Sequence, residues 1–215
     1  MLAKRFETIL QHLGMERLEH PLFHHAPVGI RFEIGGDEPT YLDREVERLI
    51  PNPAYLQSAL DRAAAIYHNL PAPPDGLRID GDLDEKTAAS LLAVIRQRTG
   101  LSDPDEQVTA TRMDEDRDLH ACAEFYWDLN ETAFQPKRLL REIILGDIGG
   151  WPGFASSVYL TGPGPFLYHL YDDRGLDVLG GSRELLLPLY RQFHDWILED
   201  DLEKIDRLFL AAEQP

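Results

Sequence analysis

From Leu119 to Leu129 the chain alternates strictly. Odd positions carry Leu119, Ala121, Ala123, Phe125, Trp127 and Leu129; even positions carry His120, Cys122, Glu124, Tyr126 and Asp128. A period of two over this length specifies a β-strand, because successive side chains leave a strand on opposite faces. One face is apolar and the other mixed. That pattern belongs to an antiparallel sheet packed on one side rather than to a parallel sheet buried on both.

Other segments extend the pattern. Val28, Ile30, Phe32 and Ile34 alternate with Gly29, Arg31 and Glu33, and Gly35-Gly36 closes the run. Val108–Met113 precedes the acidic turn Asp114-Glu115-Asp116. Val158–Leu160 and Phe166–Tyr171 flank Gly162-Pro163-Gly164-Pro165, and Leu176–Leu179 follows the turn Asp172-Asp173-Arg174-Gly175. A short strand is expected at Leu77–Ile79. Helical stripes fill the intervals: residues 2–13 up to Gly14, residues 53–69 opening at Pro53, residues 85–98 up to Gly100, and a run opened by Pro136. Ser182 is placed to cap a helix that Pro188 should kink, and Asp200 with Glu203 approximates a capping box for a last helix. Helices and strands come in blocks. The expected fold is therefore one α+β domain over residues 1–215, a mostly antiparallel sheet of five or six strands with helices packed on one face. Residues 71–76, Pro-Ala-Pro-Pro-Asp-Gly, form the best internal linker.

Composition narrows the function. The 215 residues include 38 acidic against 21 basic, a formal charge of −17. Such a surface is set against nucleic acid, where cations must neutralise phosphates, and against an anionic membrane. No apolar run approaches the length of a membrane span, and Met1–Leu13 has no signal-like apolar core, so a cytoplasmic location is expected. A single cysteine, Cys122, excludes a disulfide framework and a multi-thiolate metal site.

No complete catalytic signature is present. His20, His24 and His25 have ligand-like spacing, but Pro21 and Pro27 interrupt a helix and no Glu follows the first His. Asp80, Asp82 and Asp84 fail the calcium-loop pattern, with Glu85 where glycine is required. His120 and Cys122 share a strand face, yet nothing beside Cys122 would lower its pKa. No complete metal-ligand motif is present, so no metal site is assigned and no cofactor is expected. The densest polar cluster is Asp172-Asp173-Arg174-Gly175. It reads either as a tight turn in which Asp caps backbone N–H groups, Gly175 takes positive φ and Arg174 folds onto a carboxylate, or as an enzyme site. In that second case Asp172 and Asp173 form a metal or general-base pair in a concave pocket, Asp147 joins them unless it is simply an exposed residue at a helix end, Arg174 clamps an anion, and His169 or Tyr171 lies nearby. The acidic excess points instead to a non-enzymatic protein that binds a basic partner, with Asp114, Glu115 and Asp116 as one patch and Asp200 and Asp201, beside Glu199 and Glu203, as the other.

The segment from Tyr168 to Val178, with Leu189-Tyr190 and Asp195-Trp196-Ile197-Leu198, resembles a bacterial family known as domain of unknown function 3885. Gly29–Glu33, Phe125–Leu129, Leu140–Gly150 and Ser157-Val158-Tyr159 extend the resemblance, which is strongest over residues 154–209. It implies bacterial origin and a compact domain, and it supplies no activity or catalytic residue. The resemblance also implies that some relatives lie among toxin and immunity genes, a lead toward an inhibitor or immunity role. Relatives often carry a basic residue after the last acidic pair, where this chain has Glu199-Asp200-Asp201-Leu202.

Overall fold

The computed structural model describes residues 1–42, 50–83, 87–113, 119–148 and 157–210. In chain order the elements are α1 (Leu2–His12), α2 (Leu22–His25), β1 (Gly29–Glu33), α3 (Pro53–His68), β2 (Gly76–Asp82), α4 (Ala88–Thr99), β3 (Glu106–Met113), β4 (Leu119–Asp128), α5 (Pro136–Ile148), β5 (Ser157–Gly162), β6 (Phe166–Leu170), β7 (Gly175–Gly180), α6 (Arg183–Gln192), a 3-10 turn (His194–Trp196) and α7 (Glu199–Leu210).

Local chemistry sets the boundaries. Asn52 accepts from Ala54 N and starts α3 ahead of Pro53. Thr87 and Ser90 bond reciprocally at the start of α4, and Gly100 ends that helix with φ of 76°. Ser182 caps α6 as its sequence position suggests, but the helix runs on through Pro188 to Gln192. The last helix begins at Glu199, so Asp200 sits inside its first turn rather than at its cap.

All strand pairings in the sheet are antiparallel, in the order β1-β7-β6-β5-β2-β4-β3. The sheet therefore has seven strands where five or six were expected. The strand expected over the three residues Leu77–Ile79 is a full member of the sheet. It is seven residues long and lies centrally between β5 and β4. Leu77 and Ile79 point into the main core, together with Phe125, Trp127, Leu160, Tyr168, Val178 and Phe32, beneath α3, α4, α5 and α6. Trp127 is fully buried and donates from Nε1 to Ser102 O at 3.1 Å.

The opposite face is also covered, which corrects the expectation of helices on one side. Phe6, Ile9, Leu10 and Leu13 of α1 pack with Tyr126, Tyr159, Leu167 and Leu179. Those four strand residues present too much apolar surface to leave in water. Glu106 holds α1 in place: its carboxylate accepts from Leu2 N and Ala3 N at the helix start.

The two edges of the sheet differ. Outside β1, Phe32 bridges to Ile197 and Leu198 N donates to Arg31 O at 3.0 Å. Outside β3, no strand pairs among the described residues. Six strand spacings of about 4.8 Å put these edges roughly 29 Å apart.

Candidate functional site

The turn after β6 is built as a turn. Asp172 Oδ1 accepts from Arg174 N at 2.8 Å and Gly175 N at 3.0 Å. Its Oδ2 accepts from Arg174 Nε at 3.0 Å and Nη2 at 2.6 Å. Arg174 thus folds back on a carboxylate rather than clamping an outside anion. Gly175 does not take the positive φ expected of it. Glycine is required there because a Cβ would collide with the Tyr171 ring and hydroxyl.

The turn nonetheless gathers the expected acids. Carboxylate oxygens of Asp147, at the end of α5, and of Asp172 and Asp173 all lie within 4.8 Å of one another. Asp173 is buried, and Tyr55 Oη of α3 donates to its Oδ2 at 2.5 Å. Burial and a hydrogen bond shared with Asp147 push the Asp173 carboxyl up to about 6, against the pull of Tyr55. Asp173 can therefore hold a proton in mildly acidic solution. The rings of Tyr171 and His169 lie together instead, 5.7 Å apart, with Tyr171 Oη accepting from Arg31.

His169 belongs to a second assembly that sequence reading missed. Strand register aligns Arg31 with Asp177, Asp177 with His169, Tyr159 with Arg78, Arg78 with Tyr126 and Tyr126 with Glu106. The Tyr159 and His169 rings stack at 4.7 Å and close the row. One line of polar and aromatic side chains thus crosses the sheet on the face that α1 covers in part.

At its centre, Arg78 is buried between Asp80, at 2.8 and 3.3 Å, and Glu124, at 2.7 Å. Rings of Phe6, Tyr126 and Tyr159 surround the guanidinium. Toward β1, Arg31 donates to Tyr171 Oη at 3.1 Å and to Asp201 at 3.4 Å, and lies 3.7 Å from Asp177. Asp177 also accepts from Phe23 N at 3.1 Å. Burial pushes Asp177 up to about 6 despite that bond and Arg31. His169 bonds through Nδ1 to Val158 O at 2.9 Å, so Nδ1 carries the proton. Its Nε2 has no hydrogen-bond partner among the described residues. Burial, then the neighbouring His20, lowers its pKa to about 3. The sequence carried only a faint trace of this assembly: single charged residues at positions 31, 78, 124 and 177 stand inside strand-like runs, which half-exposed strands also show.

The two acidic patches fare differently. Asp114, Glu115 and Asp116 lie outside the described residues; their flanks, Met113 and Leu119, pair at the sheet edge remote from α7. Glu199 and Asp200 are exposed on the first turn of α7, and Glu203 is exposed one turn on. Asp201 does not share that surface. It turns inward to Arg31 and is 8% exposed, because an inward position on an amphipathic helix needs a partner and Arg31 is within reach.

Remaining motifs are accounted for by structure. Asp80 and Asp82 lie in β2 and not in a loop. Glu124 pairs with Arg78 instead of extending a His120–Cys122 site. His24 and His25 are exposed on the short α2, while His20 bonds to Tyr159 Oη at 3.0 Å. No described helix is long and apolar enough to cross a membrane.

A model of the family described as Domain of unknown function (DUF3885) matches residues 6–201. No curated protein and no solved structure matches the chain.

Proposed function

Since the chain belongs to the DUF3885 family, whose description names no activity, we propose from its own surface that it is a non-enzymatic domain that binds a basic protein, in the manner of an inhibitor or immunity protein. The observation that carries this reading is the pinned acidic turn of α7. Glu199 and Asp200 stand exposed on a helix that the Arg31–Asp201 contact and the Leu198–Arg31 backbone bond tie to the edge of β1. Carboxylates on a tethered turn need little reordering when a partner arrives, and the charge of −17 steers a basic partner toward them. Bacterial origin and a cytoplasmic setting belong to the same proposal.

The test is capture of partners from native lysate at low and high salt, repeated with charge reversals. Glu199→Lys with Asp200→Lys, or Asp114→Lys with Glu115→Lys and Asp116→Lys, should weaken the complex about tenfold or more and flatten its salt dependence. Affinity and salt slope unchanged by both reversals would end this reading.

A second reading, an enzyme at the turn of residues 172–174, is favoured by one observation: Asp147, Asp172 and Asp173 converge. Three carboxylates at this separation suit a hard cation, which takes oxygen ligands. Calcium, magnesium or manganese should then raise Tm, and Asp147→Asn should abolish the rise. A Tm indifferent to all three cations rejects the reading.

A further inference from the structure

We infer that the outer edge of β3 is a docking site for an extended basic segment of a partner, which adds an eighth strand to the sheet. This rests on the basic-partner reading above and specifies where and how such a partner is held.

The asymmetry of the two sheet edges carries the inference. An edge strand leaves a row of backbone N–H and C=O groups unpaired, and folded proteins usually blunt it with proline, lysine, a bulge or a covering segment. β1 is blunted: Ile197 and Leu198 bond along its outer side. β3 is eight residues long and carries no proline or lysine. All eight of its residues pair in unbroken register with β4, so no bulge interrupts it. Its outer side has no strand partner among the described residues. Gln107, Thr109 and Thr111 are exposed while Glu106, Val108 and Ala110 are half-buried. The edge is therefore long, straight, β-branched and polar, which suits strand addition without being a greasy surface that would aggregate.

Charge selects the occupant. From Asp103 to Asp118 the sequence holds seven carboxylates against two arginines. Asp105, just before β3, is exposed, while Asp103, also exposed, is already paired with Arg96 at 2.8 Å. Glu106 is engaged by the start of α1 and is not part of the attraction. A second copy of this chain would bring the same acids against themselves and be repelled. A strand with lysine or arginine at alternate positions would form the backbone ladder and neutralise the flanks together.

The probe is a peptide of about eight residues alternating lysine with valine, matched to the length of a typical strand. It is added to the isotope-labelled full chain and followed by amide hydrogen exchange. Alternate amides between Glu106 and Thr111 should exchange about tenfold more slowly when it binds. N-methylating the amides along one edge of the peptide should weaken binding at least about tenfold, because the ladder is lost while charge is kept. A glutamate–valine peptide should not bind. Adjacent N–H groups point to opposite sides of a strand, so one of Val108→Pro and Thr109→Pro removes an outward donor and spares the β3–β4 ladder. The variant that keeps the parent circular dichroism spectrum should lose the peptide.

Tight binding that ignores N-methylation and leaves β3 exchange unchanged overturns the edge assignment and leaves the acidic-surface reading intact. Failure of the lysine–valine peptide to bind also overturns the edge assignment; the charge reversals then decide the broader reading separately.

Discussion

Replacing Arg78 with methionine should lower folding stability by about 3–5 kcal/mol, the cost typical of removing one member of a buried ion cluster. The guanidinium lies between Asp80, fully buried, and Glu124, 9% exposed, with three aromatic rings around it. Methionine fills much of the same volume, so the loss is electrostatic. Two carboxylates lose the cation they share in a site where water cannot replace it. Tyr126 Oη still donates to Glu124 at 2.6 Å, but one neutral donor does not offset a lost ion pair. Arg78→Lys should recover only part of the loss, because an ammonium cannot reproduce the fork that reaches Asp80 and Glu124 together. The triple variant Arg78→Met, Asp80→Asn, Glu124→Gln should stand above the single one, since it leaves no buried charge. Urea denaturation of the three proteins checks this. A loss below about 1 kcal/mol for Arg78→Met would place the cluster among exposed ion pairs in its energetics.

Acid should destabilise the protein through His169. Its folded pKa, about 3, lies below the 6.5 of an unperturbed histidine. Below pH 6.5 the unfolded chain takes a proton that the folded chain refuses, so stability falls as pH falls. At about 1.4 kcal/mol per unit the loss reaches roughly 5 kcal/mol near pH 3.

Asp173 and Asp177 act in the opposite sense. Both are raised from 3.8 to about 6, so the folded chain binds their protons first and gains stability between pH 6 and pH 4. The groups facing His169 are the rings of His20, Tyr159 and Tyr171, with Asp177 across the strand pair. Between pH 6 and 4 the two carboxylates outnumber the one imidazole, so stability should rise slightly as pH falls there and drop below pH 4, where the imidazole acts alone. His169→Asn keeps a donor for Val158 O and removes the titration, so it should flatten the fall below pH 4. Asp177→Asn should turn the rise between pH 6 and 4 into a shallow fall. Urea midpoints at pH 7, 5 and 4, with the acid-unfolding midpoint, separate the three proteins. Parallel curves for His169→Asn and the parent would show that the imidazole is not held neutral by its surroundings.

Much of the turn at Asp172–Gly175 was legible beforehand, because its bonds run between neighbours in the chain. Asp172 capping the next residues and Arg174 returning to Asp172 are contacts two or three residues long. The convergence of Asp147 was readable only as one alternative. The row through Arg31, Asp177, His169 and Arg78 was not readable as a unit. Alternating charges in a strand mean solvent exposure unless partners on other strands are known.

The local elements were legible from the chain alone: α1 up to Gly14, α3 opening at Pro53, α4 ending at Gly100, α6 from Ser182, and the alternating strand that starts at Leu119. Each depends on caps, turns and periodicity within a few residues. The central place of β2, the covering of both sheet faces and the inward turn of Asp201 came from long-range packing. Those outcomes rest on pairs such as Arg78–Glu124, 46 residues apart, and Arg31–Asp201, 170 apart. No local preference encodes such pairs. They follow from burying the apolar faces first, after which each charge left inside must find an opposite charge within reach.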